Sequence, residues 1–327
     1  MRTKSAPPNF TEQITDQDVA TVRDFIESQS GTEFVRDRRA RNVAPPAPEF
    51  SQEKFWYVLM GCLLTTQQRS TKGMPVNRFL EETTFPLTLR ACAEQDSFKR
   101  FVRTTVEEFG GIRRGITVST QATENWRTLR RGLWKEAEEW HGLLRQQRAR
   151  EPQVSDRFLE RKAAHWADEH FAGIGPKQSR NLWQWLGLTR YEVPLDSRVT
   201  DWINNHLSVR VEKKFLLRLD YYEAILDYLQ AVCEKAGVLP CELDAAAFDY
   251  DNVGLGTKAL QQTTEPGYVN PNGQVTVRNT GKPGTDHLQY IYQLACSRCG
   301  HVYGANGSDI HERKCPSCQS GAPGLEV

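Results

Sequence analysis

One short stretch of the 327-residue chain carries residue types and spacing suited to covalent chemistry. It reads Phe171-Ala172-Gly173-Ile174-Gly175-Pro176-Lys177, and Asp196 follows Lys177 by 19 positions within Val193-Pro194-Leu195-Asp196-Ser197-Arg198-Val199. Gly173 and Gly175 let a phosphate approach the main chain, and the N–H groups of a helix start point toward it. Pro176 suits a first helical turn, where its missing N–H would have no partner. Lys177 therefore falls in that turn, where the partial positive charge of the helix start disfavours an ammonium. That suits a Schiff-base nucleophile, which acts as a neutral amine. A carboxylate at Asp196 completes the pair.

These residues carry a resemblance. The Phe171–Lys177 segment resembles the hairpin of the helix-hairpin-helix DNA glycosylases, the superfamily of endonuclease III and 8-oxoguanine glycosylase. The Val193–Val199 segment resembles the one bearing that family's essential aspartate, and the separation of 19 is similar to that of the 8-oxoguanine branch. Leu63-Leu64-Thr65-Thr66-Gln67-Gln68 resembles the Leu-Leu-Ser-Ala-Gln stretch of endonuclease III. The match puts Gln67, with Gln68 beside it, where the family has the residue that fills the gap left by a flipped nucleotide. A base must leave the stack before an enzyme reaches its glycosidic carbon, and an amide offers the orphaned partner both donor and acceptor. Phe109-Gly110-Gly111-Ile112-Arg113-Arg114-Gly115 resembles the Gly-x-Arg turn of the superfamily, with Arg113 and Arg114 as contacts to phosphate or target base.

The resemblance spans residues 51–250 and implies a DNA glycosylase that cleaves the N-glycosidic bond of a modified base. Asp196 would stabilise the cationic sugar as the base departs. Lys177 would attack the anomeric carbon, and the resulting imine would allow an AP lyase step. Alternatively Asp196 activates water and Lys177 orients, and both routes stay open. The substrate implied is an oxidised base such as 8-oxoguanine, removed in repair, or a hypermodified base of phage DNA, removed as host defence.

Eight cysteines are present. Cys296-Ser-Arg-Cys299 and Cys315-Pro-Ser-Cys318 are separated by fifteen residues, the spacing of a zinc ribbon in which each Cys-x-x-Cys turn grips the metal. So short a unit lacks a sufficient apolar core, and the metal must supply much of its folding energy. Four sulfurs fill the coordination sphere, so the Zn2+ is expected to be structural, with His301 and His311 surplus. The spacing does not match the four-cysteine loop of the endonuclease III branch, so no iron–sulfur cluster is expected. Cys62, Cys92, Cys233 and Cys241 are scattered and read as buried thiols in a reducing compartment.

The elements that must position these groups read as helices. After a loose tail over residues 1–14, Val19, Val22, Phe25 and Ile26 recur at helical steps from Thr15. Arg36, Arg38, Arg39 and Arg41, beside Pro45, Pro46 and Pro48, read as a solvated linker, with phosphate contact as the sharper alternative. Phe55–Leu64 opens the main domain. Val76 and Phe79 mark a second helix, and Phe98, Phe101, Val102 and Val106 a third. One long amphipathic helix is predicted over Gln121–Arg148, with Trp126 and Trp140 in the core. Leu182, Trp183, Trp185 and Leu186 line the helix that follows the hairpin, closed by Gly187. Further helices are predicted through Trp202 and Ile203, Phe215–Leu219 and Tyr222–Val232, and from Leu239.

The fold class is therefore mainly α. A bilobed all-helical helix-hairpin-helix glycosylase core over 51–250 follows an N-terminal tail and helix over 1–50. A Pro/Gly-punctuated linker over 251–290, with a short hairpin at Val275–Arg278, leads to a small C-terminal zinc ribbon over 291–327.

Lys plus Arg (42) nearly cancel Asp plus Glu (41), so DNA contact must come from a local basic face. No apolar run is long enough to span a membrane, and a signal-peptide pattern is missing from the N-terminus. The expected location is the cytoplasm, in contact with the nucleoid. The expected partners are double-stranded DNA containing a modified base, and a protein docked on the ribbon. A rival of another class is a non-catalytic DNA-binding adaptor that uses the hairpin and the ribbon without Asp196 chemistry. A nuclease would need a carboxylate cluster for magnesium, which the hairpin region lacks.

Overall fold

The computed structural model describes residues 8–68, 70–257, 263–285 and 290–326, with the backbone alone over 249–257. Residues 1–7 of the expected tail, and 258–262 and 286–289 of the expected linker, lie outside the described residues. The chain divides into a helical unit up to Asn252 and a second unit from Val253.

The helices are α1 (Asp16–Gln29), α2 (Glu33–Asn42), α3 (Gln52–Leu64), α4 (Pro75–Leu80), α5 (Leu89–Ala93), α6 (Phe98–Phe109) and α7 (Gly115–Thr128). They continue with α8 (Trp134–Arg148), α9 (Asp156–His170), α10 (Pro176–Trp185), α11 (Ser197–His206), α12 (Leu219–Ala236) and α13 (Pro240–Thr257). Two apolar cores make the unit bilobed. The first gathers α3 to α10 around Phe55, Trp56, Leu59, Leu63, Phe79 and Trp183. The second gathers α1, α11, α12 and α13 around Val22, Ile26, Val199, Ile203, Tyr222 and Leu229.

The N-terminal segment belongs to the second lobe, which corrects the expected loose tail. Phe10 is buried in a 3-10 turn, Phe10–Gln13, against Tyr221. Thr15 and Asp18 form a reciprocal capping box at the start of α1. Asp18 also accepts from the Ser208 N–H at 2.8 Å, which fastens α1 to the end of α11.

The arginine cluster is likewise no solvated linker. It forms α2, whose Arg38 is buried in an ion pair with Asp244, while Arg39 pairs with Glu242 at 2.6 Å. Pairing with acids is what allows a guanidinium to be buried; the partners stand more than two hundred positions away, beyond any local pattern.

The predicted helix over Gln121–Arg148 is two helices. A π turn, Leu129–Leu133, separates α7 from α8, with Gly132 at a φ of 124° that is not helical. Its apolar period is kept across the break, which is why it read as continuous. Trp126 and Trp140 pack against the first core as expected. The predicted helix at Phe215–Leu219 reduces to a 3-10 turn, Lys213–Phe215, ahead of α12.

In the second unit, β1 (Gln274–Pro283), β2 (Tyr290–Cys296) and β3 (Val302–Asn306) form an antiparallel sheet in that order. β1 runs beyond the short hairpin expected inside a linker: Gln274 pairs with Cys296 and Pro283 with Tyr290, with register shifts between. Leu294, Tyr303, Ala305 and Ile310 make its small core.

Candidate functional site

The hairpin between α9 and α10 is held from α7. The Asn125 side chain accepts from the Ala172 N–H at 2.7 Å and donates to the Ala172 carbonyl at 3.1 Å. The turn closes with Ile174 N–H donating to Phe171 O at 3.2 Å. Gly173 has a φ of 80°, which favours glycine, and a Cβ there would meet the end of the Gln121 side chain. Gly175 differs from Gly173 in leaving room for a side chain. It is the N-cap of α10 in extended backbone, and a Cβ there would meet open space. Among the described residues the N–H groups of Gly173 and Gly175 carry no hydrogen bond, as an anion site at a helix start requires.

Lys177 is half-buried in the first turn of α10, after Pro176. Among the described residues it makes no hydrogen bond or ion pair, and its charge acts on Asp196 and on the buried thiol of Cys62. Burial pushes the Cys62 thiol up to about 12 despite that charge, so Cys62 is an inert wall of the site. Cys92, Cys233 and Cys241 are buried as expected.

Asp196 is the N-cap of α11, in the other lobe. Its Oδ1 accepts from the N–H groups of Arg198 at 2.9 Å and Val199 at 3.1 Å, and its Oδ2 from Arg198 Nε at 2.9 Å. Burial works to raise its pKa. The Arg198 guanidinium, Lys177 and the Val199 N–H outweigh burial and hold the carboxyl below the usual range. Asp196 is therefore ionised at neutral pH, ready to face developing positive charge.

The segment leading to Asp196 is anchored at nearly every residue. The buried Glu160 carboxylate accepts from the N–H groups of Arg190, Tyr191 and Glu192 at 2.9, 2.7 and 2.8 Å. Gln230 donates to Tyr191 O at 3.1 Å, and the Tyr222 hydroxyl accepts from Leu195 N–H at 2.6 Å. Glu192, fully buried, is paired with Arg180 of α10 at 2.9 Å and with Arg161 of α9 at 2.8 Å. None of Glu160, Arg180, Glu192 or Gln230 was marked by a motif. The available signal was an acid, Glu192, standing inside the apolar run Tyr191–Leu195.

The two glutamines and two arginines come together at the end of α3. Gln68 donates to Leu64 O and accepts from the Arg113 N–H at 2.9 Å, so it braces the turn. Gln67 is exposed in left-handed backbone with a φ of 58°, and among the described residues its side chain makes no hydrogen bond. Strain of this kind in a non-glycine residue gathers at functional sites. Arg114 is also left-handed, with a φ of 66°, and its guanidinium reaches Thr66 O at 3.4 Å, while the Arg113 side chain is exposed. Gln178, next to Lys177, donates to Thr66 Oγ1 at 3.0 Å and joins this corner to α10.

In the second unit, Cys296, Cys299, Cys315 and Cys318 have their sulfur atoms within 4.8 Å of one another, and Cys296–Cys318 and Cys299–Cys315 are 3.6 Å apart. A tetrahedron with metal–sulfur bonds of about 2.3 Å has edges of about 3.8 Å. The set fits a four-thiolate metal site compatible with zinc. His301 stacks on Tyr303 instead, and His311 is exposed.

No helix among the described residues is long and apolar enough to cross a membrane. No protein-family model and no curated protein matches the chain by sequence. Solved structures do match. The 8-oxoguanine glycosylase/lyase of Methanocaldococcus jannaschii, in complex with a 15mer DNA containing 8-oxoguanine, aligns over 71% of this chain and 97% of its own, at 15% identity and a TM-score of 0.50. A structure of that organism's 8-oxoguanine DNA glycosylase aligns over 72% of this chain and 95% of its own, at 16% identity and a TM-score of 0.50. At such identity the likeness is one of architecture: over the aligned share the chain has the fold of these two 8-oxoguanine glycosylase structures, and its four C-terminal cysteines fit a zinc ribbon.

Proposed function

We propose that the chain is a DNA glycosylase that excises a modified base, with 8-oxoguanine as the first substrate to test. One observation carries this: Lys177 and an ionised Asp196 start helices in different lobes, and the charge of one acts on the other without an ion pair between them. A sugar carbon placed between an amine and a carboxylate is where a glycosidic bond can break. Duplex DNA binds along the hairpin, with a phosphate on the N–H groups of Gly173 and Gly175. Gln67 enters the duplex, Gln68 braces it, and Arg113 and Arg114 hold the adjacent backbone. As the base leaves, the sugar becomes cationic and the Asp196 carboxylate stabilises it. Lys177, as the neutral amine, then bonds the anomeric carbon; a proton passes from its nitrogen to the ring oxygen as the C1′–O4′ bond opens, and the imine so formed permits β-elimination.

Zn2+ bound to the four thiolates would fold the second unit, whose core is too small to do so alone. It takes no part in the reaction, and the unit offers a surface to DNA or a protein partner. The reading is of a protein working at chromosomal or invading DNA in the cytoplasm.

The test is a panel of duplexes carrying 8-oxoguanine, other oxidised bases or phage-type hypermodified bases, treated with wild type and Lys177→Gln, then read with and without alkali. Base release by the wild type supports the glycosylase, and alkali-independent nicking that disappears in Lys177→Gln supports the lyase step. Tight binding without release on every duplex would favour the adaptor.

A further inference from the structure

The catalytic pair proposed above is split between two lobes, so something must fix one member relative to the other. Arg180 is placed to do so. It lies one turn after Lys177 on α10, and its side chain is fully buried. Its Nη1 donates to Pro176 O at 3.1 Å, the carbonyl just before Lys177. Its Nε donates to Glu192 Oε2 at 2.9 Å, on the segment that ends at Asp196, and its Nη2 to Glu223 Oε1 at 3.0 Å, on α12. Its guanidinium carbon stands 4.9 Å from the centre of the Tyr222 ring, whose hydroxyl holds the Leu195 N–H directly before Asp196. One planar group thus touches the turn that carries the amine and, directly or through Tyr222, both sides of the segment that carries the carboxylate.

We infer that Arg180 is a positioning residue that sets the distance and orientation between Lys177 and Asp196, an inference resting on the glycosylase reading above. The guanidinium is suited to this because its donors diverge in a fixed plane, which the single ammonium of a lysine cannot reproduce. A comparison within the structure separates positioning from mere ion pairing. Arg161 on α9 shares the acids of Arg180, pairing with Glu192 at 2.8 Å and reaching toward Glu223 at 3.9 Å, and it pairs with Asp227 at 2.8 Å besides. Among the described residues it makes no hydrogen bond or ion pair with the Lys177 turn. Either arginine can leave without stranding the Glu192 carboxylate, because the other still pairs with it.

The experiment needs no knowledge of the excised base. A duplex with a natural abasic site presents the aldehyde that an amine at Lys177 would capture, and borohydride reduces the imine to a stable adduct. The rate of trapping is measured for wild type, Arg180→Met, Arg180→Lys and Arg161→Met, alongside melting temperature and affinity for a duplex with an unreactive abasic analogue. Misplacing a reacting group by about an ångström costs up to about 100-fold in rate. Arg180→Met and Arg180→Lys should trap about 10- to 100-fold more slowly with affinity within about twofold of wild type. Arg161→Met should trap at the wild-type rate even where it melts earlier. Equal rates for wild type and Arg180→Met, or losses in Arg161→Met that match those in Arg180→Met, would overturn the positioning role. A wild type that forms no adduct would refute the imine reading itself, and this inference with it.

Discussion

The two hairpin glycines should respond in opposite ways to the same added methyl group. At Gly173 the backbone is left-handed, with a φ of 80°. Placing a Cβ there costs about 1–2 kcal/mol. The methyl also meets Gln121, whose side chain is long enough to swing aside. Gly173→Ala should therefore lower the melting temperature by about 2–8 °C, taking about 2–4 °C per kcal/mol for a unit of this size. At Gly175 the φ is −103°, which any residue adopts, and the methyl points into open space. Alanine there lowers the entropy of the unfolded chain, worth about 0.4–1 kcal/mol, and is a poorer N-cap by a similar amount. These effects offset, so the melting temperature should stay close to wild type. The open space is where a phosphate would approach. Losing one hydrogen bond to a charged group costs about 1.5–3 kcal/mol, which is roughly a tenfold to hundredfold loss of affinity. The assay is fluorescence anisotropy with a labelled duplex at one fixed salt concentration, paired with thermal melts. Wild-type affinity in Gly175→Ala would refute the hairpin as a phosphate clamp, whatever Gly173→Ala does.

Other predictions follow from the same geometry. Asn at position 196 keeps the N-cap but loses the ionised carboxylate whose pKa Arg198, Lys177 and the cap N–H hold down against burial. Because the folded pKa is depressed, the stability it contributes is present above the unfolded value of about 3.9 and is lost as pH falls through the folded one. The gap in melting temperature between wild type and Asp196→Asn should therefore be constant near neutrality and close below about pH 4; a gap independent of pH would contradict the ionised Asp196. Chelation of the metal should abolish the second unit's folded signals, such as dispersed amide resonances of Leu294 and Tyr303, and leave the helical unit's melting unchanged. Persistence of those resonances in a metal-free sample would show that the sheet folds without its ion.

What the sequence made legible was what depends on near neighbours. The helix that Pro176 starts after the hairpin and the two Cys-x-x-Cys turns each lie within a few residues, and each is formed as its residues suggest. Long-range partnership was not legible. Arg38 beside proline-rich sequence reads as solvated until Asp244 is brought against it by α13. Phe10 reads as part of a tail until Tyr221 covers it. Gln67 and Gln68 are adjacent amides that composition alone does not separate, and the turn frees the side chain of Gln67 and ties that of Gln68 to Arg113. The break at Gly132 was hidden because a π turn preserves the apolar face on both sides. The groups that hold Asp196 in place were the least visible, since a buried carboxylate such as Glu160 differs from a surface one only in what packs around it.

The central claim is that Asp196 provides the charge that lets a base leave. It is tested most directly by single-turnover base release from the duplex the wild type prefers, measured for wild type and Asp196→Asn at saturating enzyme. Loss of one preorganised electrostatic group of this kind costs about 10²- to 10³-fold in rate, and the account predicts a loss of that size with DNA affinity retained. Base release by Asp196→Asn at the wild-type rate would contradict it.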